Sequence, residues 1–211
     1  MRDRAILFVD GNNWYHSLKK AAVTDLGQLN YQAISEKLVG PREWLATRYY
    51  IGRVPQVGDP RLYAAQRRFL AFLESTDGKI STHLGRLERR PVEDPAAKEL
   101  LNYLAKLSTR IDQDVFHDLM AIAKEHSDST VMVEKAVDVE LAVDMVVMAE
   151  RDEFDAAYLL SADGDFTPAA EAVMRHGKKV YAVSLSRGAQ LAAAVTSFIR
   201  IEPSWFSDCY I

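Results

Sequence analysis

The chain has 211 residues, with 26 Lys and Arg against 30 Asp and Glu, a formal net charge of -4. That length suits one medium α/β domain with a real core, and the charge balance excludes a protein held on nucleic acid by global attraction. The single cysteine, Cys209, excludes an intrachain disulfide framework and a cysteine-rich zinc site, and no apolar stretch reaches membrane-spanning length, so a cytoplasmic protein with no membrane partner is expected.

In chain order, apolar runs alternate with amphipathic ones, which predicts an α/β fold with a mostly parallel central sheet. Residues 5–9 read as a buried strand and 13–22 as the helix after it. A short helix is expected over 31–38, a strand over 43–51, a helix over 60–75 and a strand over 79–84. From Pro91 to Ser129 the pattern changes. Leu100, Leu101, Leu104 and Leu107, then Ile111, Val115, Leu119 and Ile122, are spaced for two amphipathic helices, a hairpin inserted over 91–129 in a single domain of 1–211. After it come a short strand at 131–133, a helix over 137–150 and a buried strand over 156–160. A helix over 166–176 closes on Gly177, and a strand at 179–183, a helix at 188–195 and a last strand at 198–201 complete the series. Trp205 and Phe206 in the tail are expected to pack on the body.

Two apolar strands run straight into carboxylates: Phe8-Val9-Asp10-Gly11-Asn12-Asn13 and Leu160-Ser161-Ala162-Asp163-Gly164-Asp165-Phe166. In an open parallel sheet, ligands bind beyond the carboxyl ends of the strands, at the switch in strand order. Acids on two such ends can converge on Mg²⁺ or Mn²⁺, hard ions that favour oxygen ligands. Plainer roles exist for each: Asp165 as a helix cap, Asp163-Gly164 and Asp10-Gly11 as turns. Asn13 or Asn12 can orient a carboxylate or a ligand there. Asp138 opens a very apolar helix, as a metal ligand or as a charge complementing the helix dipole. Asp144, six residues on and about 120° away round the helix, needs a partner or a proton within its apolar run, and reads as a supporting or structural acid. Lys135 can offset the acids or hold a scissile phosphate, or it is an exposed lysine.

Other signals are weaker. There is no Walker A sequence and no nucleophile elbow, and the five histidines have no HExxH spacing. Ser186 and Arg187 fall near the expected strand-end rim, with a helix cap the simpler role for Ser186. Residues 42–90 hold ten Lys and Arg against five acids, whereas the rest of the chain holds sixteen against twenty-five. A basic segment beside an acidic site suits a polyanionic substrate, and a solvated charged surface is the plainer reading.

The blocks around Asp10, from Lys135 to Asp144, and from Leu160 to Pro168, with His176-Gly177-Lys178-Lys179-Val180 after them, resemble the NYN domain, and more narrowly its LabA-like branch within the PIN-like nuclease group. The resemblance covers most of the chain except 91–129, and Ala162 stands where that family often has glycine. It implies a PIN-like three-layer sandwich and a metal-dependent ribonuclease site using Asp10, Asp138, Asp163 and Asp165, with Asn13 assisting.

The expected function is therefore a Mg²⁺- or Mn²⁺-dependent endoribonuclease. Its target is single-stranded or looped RNA, because Trp14, Tyr15 or Tyr49 can stack on unpaired bases if they are not core residues. The rival is a regulatory module that binds nucleic acid or protein at a retained metal site, with the hairpin as a homodimer or partner surface. A phosphatase for small phosphoesters ranks third, since it gives the basic segment no role.

Overall fold

In β1 (Arg4–Asp10) every side chain from Ala5 onward is buried, as a strand covered on both faces requires. Alternate residues enter two different cores: Ala5, Leu7 and Val9 one, Ile6 and Phe8 the other. The computed structural model describes residues 2–54, 56, 59–76, 78–91, 94–107, 110, 112–127 and 130–211, and of these the side chains at 76, 86–91, 127 and 130–135 are left out. β1 is followed by α1 (Gly11–Lys20), α2 (Tyr31–Val39), β2 (Glu43–Ile51), α3 (Pro60–Thr76) and β3 (Ile80–Leu84). Then come β4 (Arg86–Pro91), α4 (Pro95–Leu107), α5 (Gln113–Ser127), β5 (Thr130–Lys135) and α6 (Val137–Glu150). The chain ends with β6 (Ala156–Leu160), α7 (Thr167–Arg175), β7 (Lys179–Ser184), α8 (Ala189–Ala194) and β8 (Ser197–Arg200).

The main sheet has six strands in the order β3-β2-β1-β6-β7-β8, and its pairs are parallel. The chain fills one half outward from β1 and then returns to start the other half at β6. The switch point thus lies between β1 and β6, with Val9, one residue before the end of β1, paired to Leu160, the last residue of β6. The first core holds Trp14 and Leu18 of α1, Tyr31 and Ile34 of α2, Leu73 of α3, and Phe206 and Cys209 of the tail. The second holds Val137, Leu141, Met145 and Ala149 of α6, Val173 of α7 and Leu191 of α8. These are the three layers of helix, sheet and helix that the alternation implied. The tail packs as expected, with the Trp14 and Phe206 rings edge to face at 6.1 Å.

The chain divides into two compact units, 1–86 with 134–211, and 87–133. The second contains α4 and α5 and a small sheet of β4 and β5. The 131–133 strand therefore belongs to this ribbon and not to the main sheet. β4 escaped sequence reading because Arg86-Leu87-Glu88-Arg89-Arg90-Pro91 offers a single large apolar residue before its proline and so shows no period of two.

Candidate metal centre

Asp10 is the last residue of β1 and the N-cap of α1. Strand alternation turns it toward the α6 side of the sheet, and it is 4 % exposed. One carboxylate oxygen accepts from the Asn13 backbone N–H at 3.1 Å, the other from the Ser161 hydroxyl at 2.9 Å. The next residue must be glycine: a Cβ on Gly11 would lie 2.7 Å from the Tyr49 ring and from the Tyr50 carbonyl. The turn after β6 is sewn to the turn after β1. Ser161 Oγ accepts from the Asp163 N–H at 3.1 Å, and Asn13 Oδ1 accepts from the Ala162 N–H at 3.3 Å. Asp163 in turn accepts from the Asp165 N–H at 3.0 Å, so it is Asp163, not Asp165, that caps the 3-10 turn Gly164–Phe166.

The third wall is the start of α6. Ala136 enters it with φ of 75°, a left-handed conformation that costs an alanine about 1 kcal/mol or more. It sets Asp138 in the first turn, facing the two strand ends. Asp10, Asn12, Asn13, His16, Ala136, Val137, Asp138 and Asp163 line a cleft of about 280 Å³. Asp165 is exposed and outside that lining, but its charge reaches Asp138.

Burial pushes the Asp10 carboxyl up to about 6; its two hydrogen bonds oppose the rise and the charges of Asp138 and Asp163 add to it. Asp138 is also raised, first by burial and then by Asp163 and Asp165. Among the described residues no basic side chain forms an ion pair with any of these four acids. Converging carboxylates whose negative charge is uncompensated fit a divalent cation, and a purely oxygen donor set fits Mg²⁺ or Mn²⁺.

Trp14 and Tyr49 take the core role, at 0 % and 2 % exposure, so neither can stack on a base; Tyr15 is 44 % exposed. Adjacent positions on a helix face about 100° apart, which is why Trp14 turns in and Tyr15 out. Ser186 does not cap α8: its backbone N–H donates to Ser184 Oγ, and the cap position is Gly188. Arg187 is exposed and not part of the cleft lining. The Lys135 side chain lies outside the described residues. His16 was missed; it falls one helical turn after Asn12 and Asn13, the one signal that places it on the same rim.

Asp144 does find a partner, away from the cleft. It accepts from Arg48 and from the Tyr50 hydroxyl, both at 2.6 Å. Burial raises its carboxyl, but Tyr50 and Arg48 outweigh that and hold it below the usual range. His83 stacks on Tyr50 at 4.5 Å and meets Glu140 at 3.4 Å, so His83, Glu140 and Asp144 offer ligand atoms within 4.8 Å of one another. Arg48 already supplies the positive charge here. Through Arg48 and Tyr50 the group latches α6 to β2.

The fold and cleft define a parallel α/β protein with an acidic site at the switch point of its sheet. The NYN domain model matches residues 4–202, and the chain belongs to the NYN domain family. A crystal structure of a protein of unknown function from Vibrio parahaemolyticus shares the fold, with a TM-score of 0.54 at 16 % identity, over 95 % of this chain and 94 % of that one. A structure described under the mechanism and regulation of Sir2 enzymes aligns with a TM-score of 0.41 at 9 % identity, over 97 % of this chain and 89 % of that one. No curated protein matches the chain. Among the described residues, no helix is long and apolar enough to cross a membrane.

Proposed function

We propose that the protein is a divalent-metal-dependent endoribonuclease of the LabA-like branch, one NYN domain with its insertion, working in the cytoplasm. The observation that carries this reading is the convergence of Asp10, Asp138 and Asp163 from three separate elements on one cleft without a described counter-cation. Asp10, Asp138 and Asp163, with Asp165 beside them, would hold Mg²⁺ or Mn²⁺, which supplies Lewis-acid activation of water and charge neutralisation at the scissile phosphate. Ser161 and the Asn13 backbone fix the rotamer of Asp10, so the ligand geometry is set before any ion arrives. The Asn13 amide ties the two strand-end turns together. Water adds to the phosphodiester and the 3′ oxygen leaves, giving a 5′-phosphate and a 3′-hydroxyl. Exposed Arg53, Arg61, Arg67 and Arg68, on and before α3, offer backbone neutralisation, and Tyr15 offers a stacking face for an unpaired base.

The test is cleavage of a mixed-structure RNA with Mn²⁺, Mg²⁺ or EDTA by wild type and by Asp163→Asn. Metal-dependent products that fall by about 10²-fold or more in the variant are expected. Cleavage that persists in both Asp10→Asn and Asp163→Asn rules the site out, and RNA retained in a gel shift without cleavage points to the binding module.

A further inference from the structure

The α4–α5 hairpin leaves a broad apolar face uncovered. Leu100, Tyr103, Val115, Leu119 and Ile122 are 39 %, 60 %, 50 %, 38 % and 53 % exposed. Each immediately precedes a residue that is turned inward: Leu101, Leu104, Phe116, Met120 and Ala123. The two helices are joined by a short connection and so run antiparallel. On antiparallel neighbours, the same offset from the buried line falls on the same side of the pair. The five residues therefore form one face rather than two opposed ones.

We infer that this face is a homodimer interface, where the hairpins of two copies pair into a four-helix bundle. The hairpin belongs to a unit of only 47 residues, 87–133, with the β4–β5 sheet, too small to bury every apolar helix face, and the natural complement of an uncovered two-helix face is a second such face. At these exposures the five side chains present roughly 400 Å², the size of the largest patch on a typical monomer. Two such faces with their rims remove on the order of 1,000 Å² from water, where specific interfaces begin.

Charge selects the partner and its orientation. α4 carries Lys98 and Lys106 against Glu99, whereas α5 carries Asp114, Asp118 and Glu125 against Lys124. The three α5 acids are spaced by four and seven, a single line beside the apolar stripe, and Lys106 flanks the stripe on α4. A two-fold axis parallel to the helices lays α4 of one copy over α5 of the other and brings these opposite charges together. An axis across the helices would stack α5 on α5 and oppose the acids. The interface is independent of the proposed nuclease activity.

The test is sedimentation of the full chain across a dilution series. The expected particle has twice the 23.7 kDa chain mass. Leu119→Glu or Ile122→Glu should give a monomer with unchanged far-UV circular dichroism. Should either fail to fold, Lys106→Glu serves instead: it should weaken the dimer about tenfold, and Asp118→Lys in the same chain should restore it. A wild-type monomer at the highest soluble concentration overturns the inference. So does a dimer that ignores the hairpin variants but breaks in Val143→Glu, because Val139 and Val143 form another exposed apolar pair on α6.

Discussion

The two edges of the central sheet handle carboxylates in opposite ways. At the amino edge Asp3, Asp152 and Asp155 each have a basic partner. Arg4 reaches Asp155 through its backbone N–H at 2.8 Å and its guanidinium at 3.1 Å, Lys178 pairs with Asp152, and Lys179 meets Asp3 at 3.2 Å. Arg4 and its neighbours hold the Asp155 carboxyl down at about 2. At the carboxyl edge, Asp10, Asp138, Asp163 and Asp165 crowd one another, and Asp10 is pushed up to about 6. The chain thus shows that it can compensate strand-end acids when the aim is to fasten β1 to β6. At the switch point the four acids have no basic partner among the described residues, a cost in stability that supports the proposed cation site.

The sharpest way to break this contrast is Asp10→Asn. It should abolish metal-dependent cleavage, a loss of about 10²-fold or more in rate. It should also raise the metal-free stability, by up to about 3 kcal/mol for a shift of this size, in a chemical denaturation series. A destabilised variant would mean that the carboxylate is structural.

Ser161→Ala comes next. It removes the hydroxyl that donates to Asp10 and accepts from Asp163, and should cost about 10- to 100-fold in metal affinity with the fold intact, as titration calorimetry would read.

The pH dependence separates the two edges by sign. Asp10 is raised in the folded state, so its contribution is full below 3.8 and is lost as pH rises through about 6. Asp155 is depressed, so its contribution is present above 3.8 and is lost as pH falls through about 2. Metal-free melting temperatures should therefore fall on both sides of the region near pH 4. Arg4→Ala should flatten the acid limb alone, and added Mn²⁺ should flatten the other. The smallest effect expected is in Ala136→Gly, which relieves the left-handed entry to α6 and should stabilise the protein by about 0.5–1 kcal/mol in thermal melts.

Much of this was legible in the sequence. A parallel strand buried on both faces must be an unbroken apolar run, and acids directly after such a run must sit at the sheet's carboxyl edge. Asp10 and Asp163 could therefore be placed from residues 5–10 and 156–163 alone. The glycine after Asp10 was visible, but its reason, the Tyr49 ring and the Tyr50 carbonyl 2.7 Å away, was not. Local periodicity likewise could not reveal β4, which has none, or tell that Trp14 is core while Tyr15 is exposed.

The order of strands and helices, the acidic strand ends and the apolar nature of α6 were determined by the sequence itself, because each follows from a repeat or a spacing within one element. The pairing of Asp144 with Arg48 across 96 residues, the bridge from Ser161 to Asp10 across 151 and the charge imbalance between the two edges were decided only by the tertiary structure. These depend on which elements become neighbours. A hydrogen bond or an ion pair acts over a few ångströms of space, and its strength is set by the burial and charge of groups that the chain brings together only when it folds.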